Sequence, residues 1–482
     1  MTLSEPDRQL VEHTRALEDD CRRLSDRLWD LAETAYDEYA SVERQVELLQ
    51  AHGFKITRDL GGLPTAFVAE AGSAGPVVGF LGEYDALPNL SQQAGVWQAH
   101  AACLGGAGHG CGHNLLGGAT VLAALAVQRW LAETDRPGRV RYYGCPAEEG
   151  GAGKTFLVRA GVFDDLDAAL TWHPGSILAL DAMGSLATIH ARFRFTGRAA
   201  DAAAAPHLGR SALDAVTLMN VGANYLREHM ASDARLHYAV TDAGGTAPSV
   251  VQATSEVVYQ IRAGTLGEVR TLHERLRKIA EGAALMTGTT VAGRVDKAMS
   301  NMRPNAVLSD LLYAKMQALG PVPFDAVDRA LAVATRASLR AEDIAPSLAI
   351  FGAEGISEDL HSAILPRERM PALLVASTDV GDVSWVVPTA RFLAPCFVVG
   401  TPFHSWNLVA QGKMPFAHKG MVHAARIMAL GAGALFDEPA LLERARAELD
   451  AAAAREGYVC PIPEDVPPPL KPHRDTAEER AA

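Results

Sequence analysis

The chain is 482 residues long, and 44 lysines and arginines against 57 aspartates and glutamates give a formal charge of −13. This acidic balance argues against a nucleic-acid-binding module, which needs a clustered basic surface. With 48% hydrophobic and 21% charged residues the composition also excludes a disordered chain, and the length is that of two domains.

The first thirty residues are acidic and amphipathic, with no apolar stretch or cleavage site of a secretory signal. No uninterrupted run of eighteen apolar residues marks a membrane span, so a cytoplasmic protein with no membrane partner is expected. Six scattered cysteines, Cys21, Cys103, Cys111, Cys145, Cys396 and Cys460, make no disulfide framework in a chain this long and are expected as free thiols.

From Leu10 to about Gln50 the apolar residues recur at helical spacing, and Gly53 breaks the pattern. Strand-like segments follow at 53–58, 65–71, 77–81 and 140–145, with a helix-like stretch at 115–130 before the last. The alternation predicts an α/β layer with helices on both faces. After Trp172 the texture changes. Strand 186–195, helix 211–228, strands 236–241 and 250–262, helix 266–285 and strand 289–295 follow in order, the β-α-β-β-α-β pattern of a ferredoxin-like α+β unit. The body resumes near Val307, with strands at 372–376 and 396–399 and helices at 419–436 and 439–456. The predicted division is a catalytic body at 1–185 and 306–457, an insert at 186–305, and a proline-rich, then charged, tail at 458–482 expected to be extended or disordered.

The chemistry-bearing motifs fall at strand ends, where open α/β sheets bind ligands. GEYDALP (82–88) offers Glu83 and Asp85. GHGCGHNLLGG (108–118) sets His109, Cys111 and His113 among glycines before a helix, and a thiolate with a neutral imidazole suits a cation of borderline softness. CPAEEGGAGKT (145–155) carries Glu148 and Glu149, which can divide the work of a metal hydrolase between proton acceptor and ligand. Its Gly-Lys-Thr lacks the spacing of a phosphate loop. His173 in TWHP and His404 in GTPFHSW each end an apolar segment. Read singly, the motifs other than GHGCGHNLLGG are as readily polar loops or structural residues; the recurrence of all of them points to a two-metal centre. Asp379 and Asp382 in STDVGDVSW either line that site or form a capped polar turn.

LGEYDALPNLSQ, GHGCGHNLLGG, PAEEGGAGKTF, WHP, PHLGRSALDAV, STDVGDVSW and GTPFHSW, in this order, resemble the di-metal aminoacylase and carboxypeptidase family of metallopeptidases, and within it the branch of aminobenzoyl-glutamate hydrolases and indole-acetyl-amino-acid amidohydrolases. The resemblance spans roughly residues 10–440. It implies a catalytic α/β domain with two divalent metal ions per subunit, manganese or zinc, and an inserted ferredoxin-like lid that forms a homodimer. It implies Cys111, His113, Glu149, His173 and His404 as metal ligands with Cys111 able to bridge, Glu148 as general base, and Asp85 as the acid that orients His113. Asn301, Arg303 and Asn305 in SNMRPN are candidates for holding a substrate carboxylate; a domain-junction loop would use the same residues.

One position departs from the family pattern. The lid motif Gly-x-x-x-His-x-Ala-x-x-Pro reads GRAADAAAAP here, so Asp201 stands where a histidine that stabilises the tetrahedral intermediate is expected. A carboxylate facing a developing oxyanion is repulsive unless protonated. Three explanations stay open: an inactivating substitution, a substrate whose own cation meets Asp201, or replacement of the donor by His207, which is otherwise a lid-core or hinge histidine. The expected activity is metal-dependent hydrolysis of the amide in N-acyl amino acids or dipeptide-like substrates. The alternatives are an aminohydrolase that releases ammonia from an aromatic amine, and a metal-binding subunit without catalysis that supports an active partner.

Overall fold

The computed structural model describes residues 3–470; positions 471–482 of the predicted tail lie outside the described residues. The helical spacing of the N-terminal region resolves into two helices, Glu5–Leu31 and Tyr39–Ala51, broken at Ala32 in the left-handed region (φ 42°). Ser4 and Asp7 close a reciprocal capping box at the start. The first helix lays Leu10, Leu17, Leu24 and Leu28 against the body, chiefly along the helix His113–Thr134. That central helix is long and apolar enough to cross a membrane by length and composition, but 83% of its most apolar window is buried inside the protein. A helix apolar on every side belongs in a core.

The body sheet has seven strands in the order Lys55–Arg58, Phe67–Gly72, Arg139–Gly144, Val77–Gly82, Ala168–Gly175, Thr389–Pro395 and Ala179–Asp181. The four strands from Arg139–Gly144 to Thr389–Pro395 run parallel, and the outer pairings are antiparallel. Val77–Gly82 is buried at every position, as a parallel strand covered on both faces must be. The apolar run 396–399, predicted as a strand, lies just past the end of Thr389–Pro395. The strand itself carries Arg391 and Pro395, which weaken its apolar signal although all seven positions are buried. The run predicted at 372–376 is a two-residue ladder, Leu373–Leu374 beside Gly184–Ser185. Three helices, Ala306–Leu319, Ala326–Arg336 and Ala341–Ala349, follow where the body resumes.

Between the halves of the body lies a separate antiparallel sheet, ordered Thr290–Met299, Ala187–Thr196, Thr254–Ala263 and Arg235–Asp242, packed by the helices Ala212–Leu226 and Leu266–Thr287. In chain order that is 4-1-3-2, the arrangement of a split βαβ unit. Strand Thr254–Ala263 alternates half-buried and buried residues, the signature of a sheet covered on one face. A continuous apolar cluster runs from Leu81 and Tyr143 on the body sheet and Phe163 in the turn before its strand Ala168–Gly175 to Phe193, Tyr259 and Leu276 in this second unit.

Residues 458–470 carry no regular secondary structure yet dock on the body. Ile462 is buried, Tyr458 stacks on Trp385 and donates to Asp382 at 2.9 Å, and Arg159 donates to the carbonyls of Pro463 and Val466.

Candidate active site

The carboxyl ends of the parallel strands converge on one hollow. Val77–Gly82 delivers Glu83 and Asp85, Arg139–Gly144 leads to Glu148 and Glu149, Ala168–Gly175 carries His173, and the chain beyond Thr389–Pro395 brings His404. The turn before the central helix needs Gly112 (φ 79°), since a Cβ there would lie 2.8 Å from both Phe397 and Pro174. His404 adopts φ 55°, a costly conformation for a side chain of that size, and its N–H donates to the Gly110 carbonyl at 2.8 Å. That bond ties the His404 loop to the Cys111 loop.

Three groups of side chains have donor atoms within 4.8 Å of one another: Cys111 with His113 and His173, Cys111 with Glu149 and His404, and Glu83 with His113 and Glu148. Cys111 belongs to the first two, and its Sγ lies 3.4 Å from His173 Nε2. Glu149 Oε1 lies 3.4 Å from His404 Nε2, and Glu83 Oε2 lies 3.3 Å from His113 Nε2. The buried atoms His113 Nε2 and Glu149 Oε1 have no hydrogen-bond partner, as expected of ligand atoms aimed at a cation. This thiol, imidazole and carboxylate set fits divalent ions of the zinc or manganese kind. Asp85 supports the set from behind: Oδ1 meets His113 Nδ1 at 2.9 Å and Oδ2 accepts the Glu149 N–H at 2.7 Å. The first contact places the imidazole's other nitrogen toward the cluster. His109 instead turns its Nε2 to the Leu28 carbonyl at 3.0 Å.

Burial, reinforced by Glu83 and Glu149, pushes the Glu148 carboxyl well above its ordinary range. Burial also raises the Cys111 thiol, with Glu149 adding to it; a bound cation would reverse that preference. His173 is lowered to about 4 by burial and by His113. Burial alone would raise Glu83, but Lys154 and the imidazoles of His113 and His173 hold it at about 2.

Lys154 is one component that sequence reasoning missed. Fully buried, its Nζ lies 2.6 Å from Glu83 Oε1 and 2.7 Å from Asp379 Oδ1, while its N–H donates to Asp379 Oδ2 at 2.8 Å. Asp382 accepts from Thr155 Oγ1, the Ser300 N–H and Tyr458 Oη. The Gly-Lys-Thr that failed as a phosphate loop thus pins the Glu148 turn to the STDVGDVSW segment. A lysine one turn beyond the acids was the available signal.

A cavity of about 230 Å³ is lined by Cys111, Glu148, Glu149, His173 and His404. A larger surface hollow of about 540 Å³, beside His13 and Glu133, holds none of these groups. Five other predicted site residues neither line the cavity in this single chain nor belong to the ligand groups. Asp201 is exposed and accepts the N–H groups of Ala203 and Ala204, and His207 is exposed in the turn Pro206–Leu208. Asn301 Oδ1 accepts from the Leu266 N–H. Arg303 stacks 4.5 Å over Trp385 and pairs with Glu456 at 2.9 Å. Asn305 caps the helix Ala306–Leu319 and donates to the Ala445 carbonyl. The last three join elements of the fold, the architectural use that a junction loop has for such residues.

The model of the peptidase family M20/M25/M40 matches residues 79–364. The chain is 48% identical over 471 residues to a p-aminobenzoyl-glutamate hydrolase subunit of Escherichia coli (strain K12), covering 95% of this chain and 98% of that protein. It is 31% identical over 440 residues to Xaa-Arg dipeptidase of Mus musculus, covering 88% of each. Among solved structures, a dinuclear metal-binding peptidase of the M20 family from Bacillus subtilis superposes with a TM-score of 0.56 at 16% identity, covering 87% of this chain and 99% of that one. At that identity the likeness concerns the fold alone.

Proposed function

The chain belongs to the peptidase family M20/M25/M40 and is a metal-dependent amidohydrolase; from that premise we propose that it cleaves the amide bond of N-acyl amino acids of the aminobenzoyl-glutamate kind. The observation that carries the proposal is Glu148 at the wall of the cavity that Cys111, Glu149, His173 and His404 also line. Two divalent ions, manganese or zinc, would be held by the two groups that share Cys111, with His113 in the first and Glu149 in the second. Bound there, such ions supply a water of lowered pKa and polarise the scissile carbonyl.

The protein's own residues complete the reaction. Glu148 takes the proton of the attacking water and returns it to the departing amine nitrogen. Asp85 orients His113, and Lys154 neutralises Glu83 and Asp379 behind the site. The five free cysteines that no ligand role uses, Cys21, Cys103, Cys145, Cys396 and Cys460, support a reducing, cytoplasmic setting.

We assign the inserted unit as a lid through which two copies pair. The exposed Tyr238 and Val240 on its edge strand Arg235–Asp242 support this, because an open apolar edge invites a second strand. Asp201 of one copy would then face the cavity of the other. The test is release of amino acid, against release of ammonia, by protein loaded with manganese or zinc on a panel of N-acyl and aminobenzoyl amino acids. Glu148→Gln is expected to lower kcat by about 10²–10⁴-fold with metal content unchanged. Ammonia as the product would overturn the proposal. Asp201→His decides the role of that position: a gain on every substrate makes the aspartate an inactivating substitution, and a loss confined to amine-bearing substrates makes it a specificity element.

A further inference from the structure

Besides Glu148 and the ligand residues, the cavity is lined by Phe351, Leu393 and Phe403 together with one buried ion pair, Arg391 and Asp181. Arg391 is 5% exposed and Asp181 1%. The pair is built by register: Arg391 sits directly across from Asp181 on one neighbouring strand and from Thr171 on the other. Two residues on, Leu393 is paired with His173. Since alternate residues of a strand share a face, Arg391 and Leu393 stand on the face that carries His173.

Arg391 Nε lies 2.6 Å from Asp181 Oδ2. Both of these atoms are fully enclosed and the contact lacks hydrogen-bond alignment, so Asp181 neutralises the guanidinium at its Nε. A guanidinium taken out of water is costly unless its donors are satisfied, and its terminal nitrogens match a carboxylate in a paired, planar way. The lid-junction residues Asn301, Arg303 and Asn305 are engaged within the fold. Among the charged groups lining the cavity, Arg391 is the cation that does not belong to the cluster of Cys111, Glu148, Glu149, His173 and His404.

We propose that Arg391, positioned by Asp181, is the anchor for a carboxylate of the substrate, so that the enzyme selects acidic N-acyl amino acids. This deepens the amide-hydrolase reading and rests on it for the identity of the substrate. An N-acyl glutamate has two carboxylates with the same recognition chemistry, and the analogues below separate them.

The experiment measures binding as well as turnover. Calorimetry with glutarate and with its neutral diamide, glutaramide, is run on the wild-type protein and on Arg391→Gln, Arg391→Lys and the double variant Asp181→Asn/Arg391→Gln. The double variant removes both charges together and so keeps the wall neutral if the single change does not fold. In parallel, kcat/KM is measured on aminobenzoyl-glutamate and on its α-amide and γ-amide. Loss of the guanidinium is expected to weaken glutarate binding by about 10²-fold while glutaramide binding stays unchanged. Arg391→Lys, which keeps the charge but not the fork, is expected to fall between. The amide analogue on which Arg391→Gln has no further effect identifies the anchored carboxylate. Equal weakening for glutarate and glutaramide, or no weakening for either, overturns the proposal. If the wild-type protein hydrolyses nothing yet its glutarate binding depends on Arg391, the amide-hydrolase reading fails and the anion subsite stands.

Discussion

The catalytic body and the inserted unit are both sheets packed by helices, but they treat charge in opposite ways. The body encloses Glu83, Asp85, His113, Lys154, Asp379 and Asp382, each against a partner of opposite sign or a hydrogen-bond donor. The buried polar side chains of the insert's sheet and helices are the neutral Thr188, Asn220 and Ser255. Its ionic contacts, such as Arg192 with Glu256 and Asp296, keep part of each side chain in water. A sheet covered on both faces can hold charge in a low-dielectric interior where it governs proton affinity and metal binding. A sheet covered on one face leaves its charges hydrated.

Lys154→Met breaks the contrast most severely. It leaves Glu83 and Asp379 buried without their cation and is expected to destabilise the protein by about 3–5 kcal/mol, read as a lower urea midpoint. Asp85→Asn removes an orienting acceptor and spares the fold; a loss of about 10–100-fold in metal affinity is expected in a chelator competition.

The pH dependence sharpens the comparison through one histidine of each region, the half-buried His190 of the insert and the buried His423 of the body. Burial, with Lys297 and Arg262 nearby, lowers His190 in the insert to about 3, and burial with Arg426 lowers His423 in the body to about 3. Unfolded histidine takes a proton below about 6.5, so between that value and about 3 the unfolded chain holds more protons than the folded one. The contribution of each is therefore complete above pH 6.5 and is lost as the pH falls toward 3. His190→Gln is expected to reduce the slope of stability against pH in that window by about one proton, measured by urea unfolding at closely spaced pH. The smallest effect belongs to the insert's surface: Arg192→Met should change stability by only about 0–1 kcal/mol.

The strand-helix order of the insert was legible because its segments are short, alternate cleanly and are separated by turns. The strand Thr389–Pro395 was not, since an arginine and a proline interrupt its apolar run although every position is buried. The grouping of Cys111, His113, Glu149, His173 and His404 was legible from their recurrence at strand ends, and the structure brings their donor atoms into two groups that share Cys111. Lys154, Asp181 and Arg391 were not. Each owes its role to a partner 71, 225 or 210 positions away, and a lone Lys, Asp or Arg in a sequence carries no mark of such a partner.

Sequence alone determined the α/β class, the interruption of the body by a β-α-β-β-α-β unit and the residue types able to hold divalent metal, since periodicity and ligand chemistry are local properties. Which charges are enclosed was decided by tertiary structure. Strand order sets Arg391 between Thr171 and Asp181, and the approach of Asp379 to the turn after Glu149 buries Lys154. The energy of a charge depends on the medium and the partner that the fold supplies, and neither is written at the residue itself.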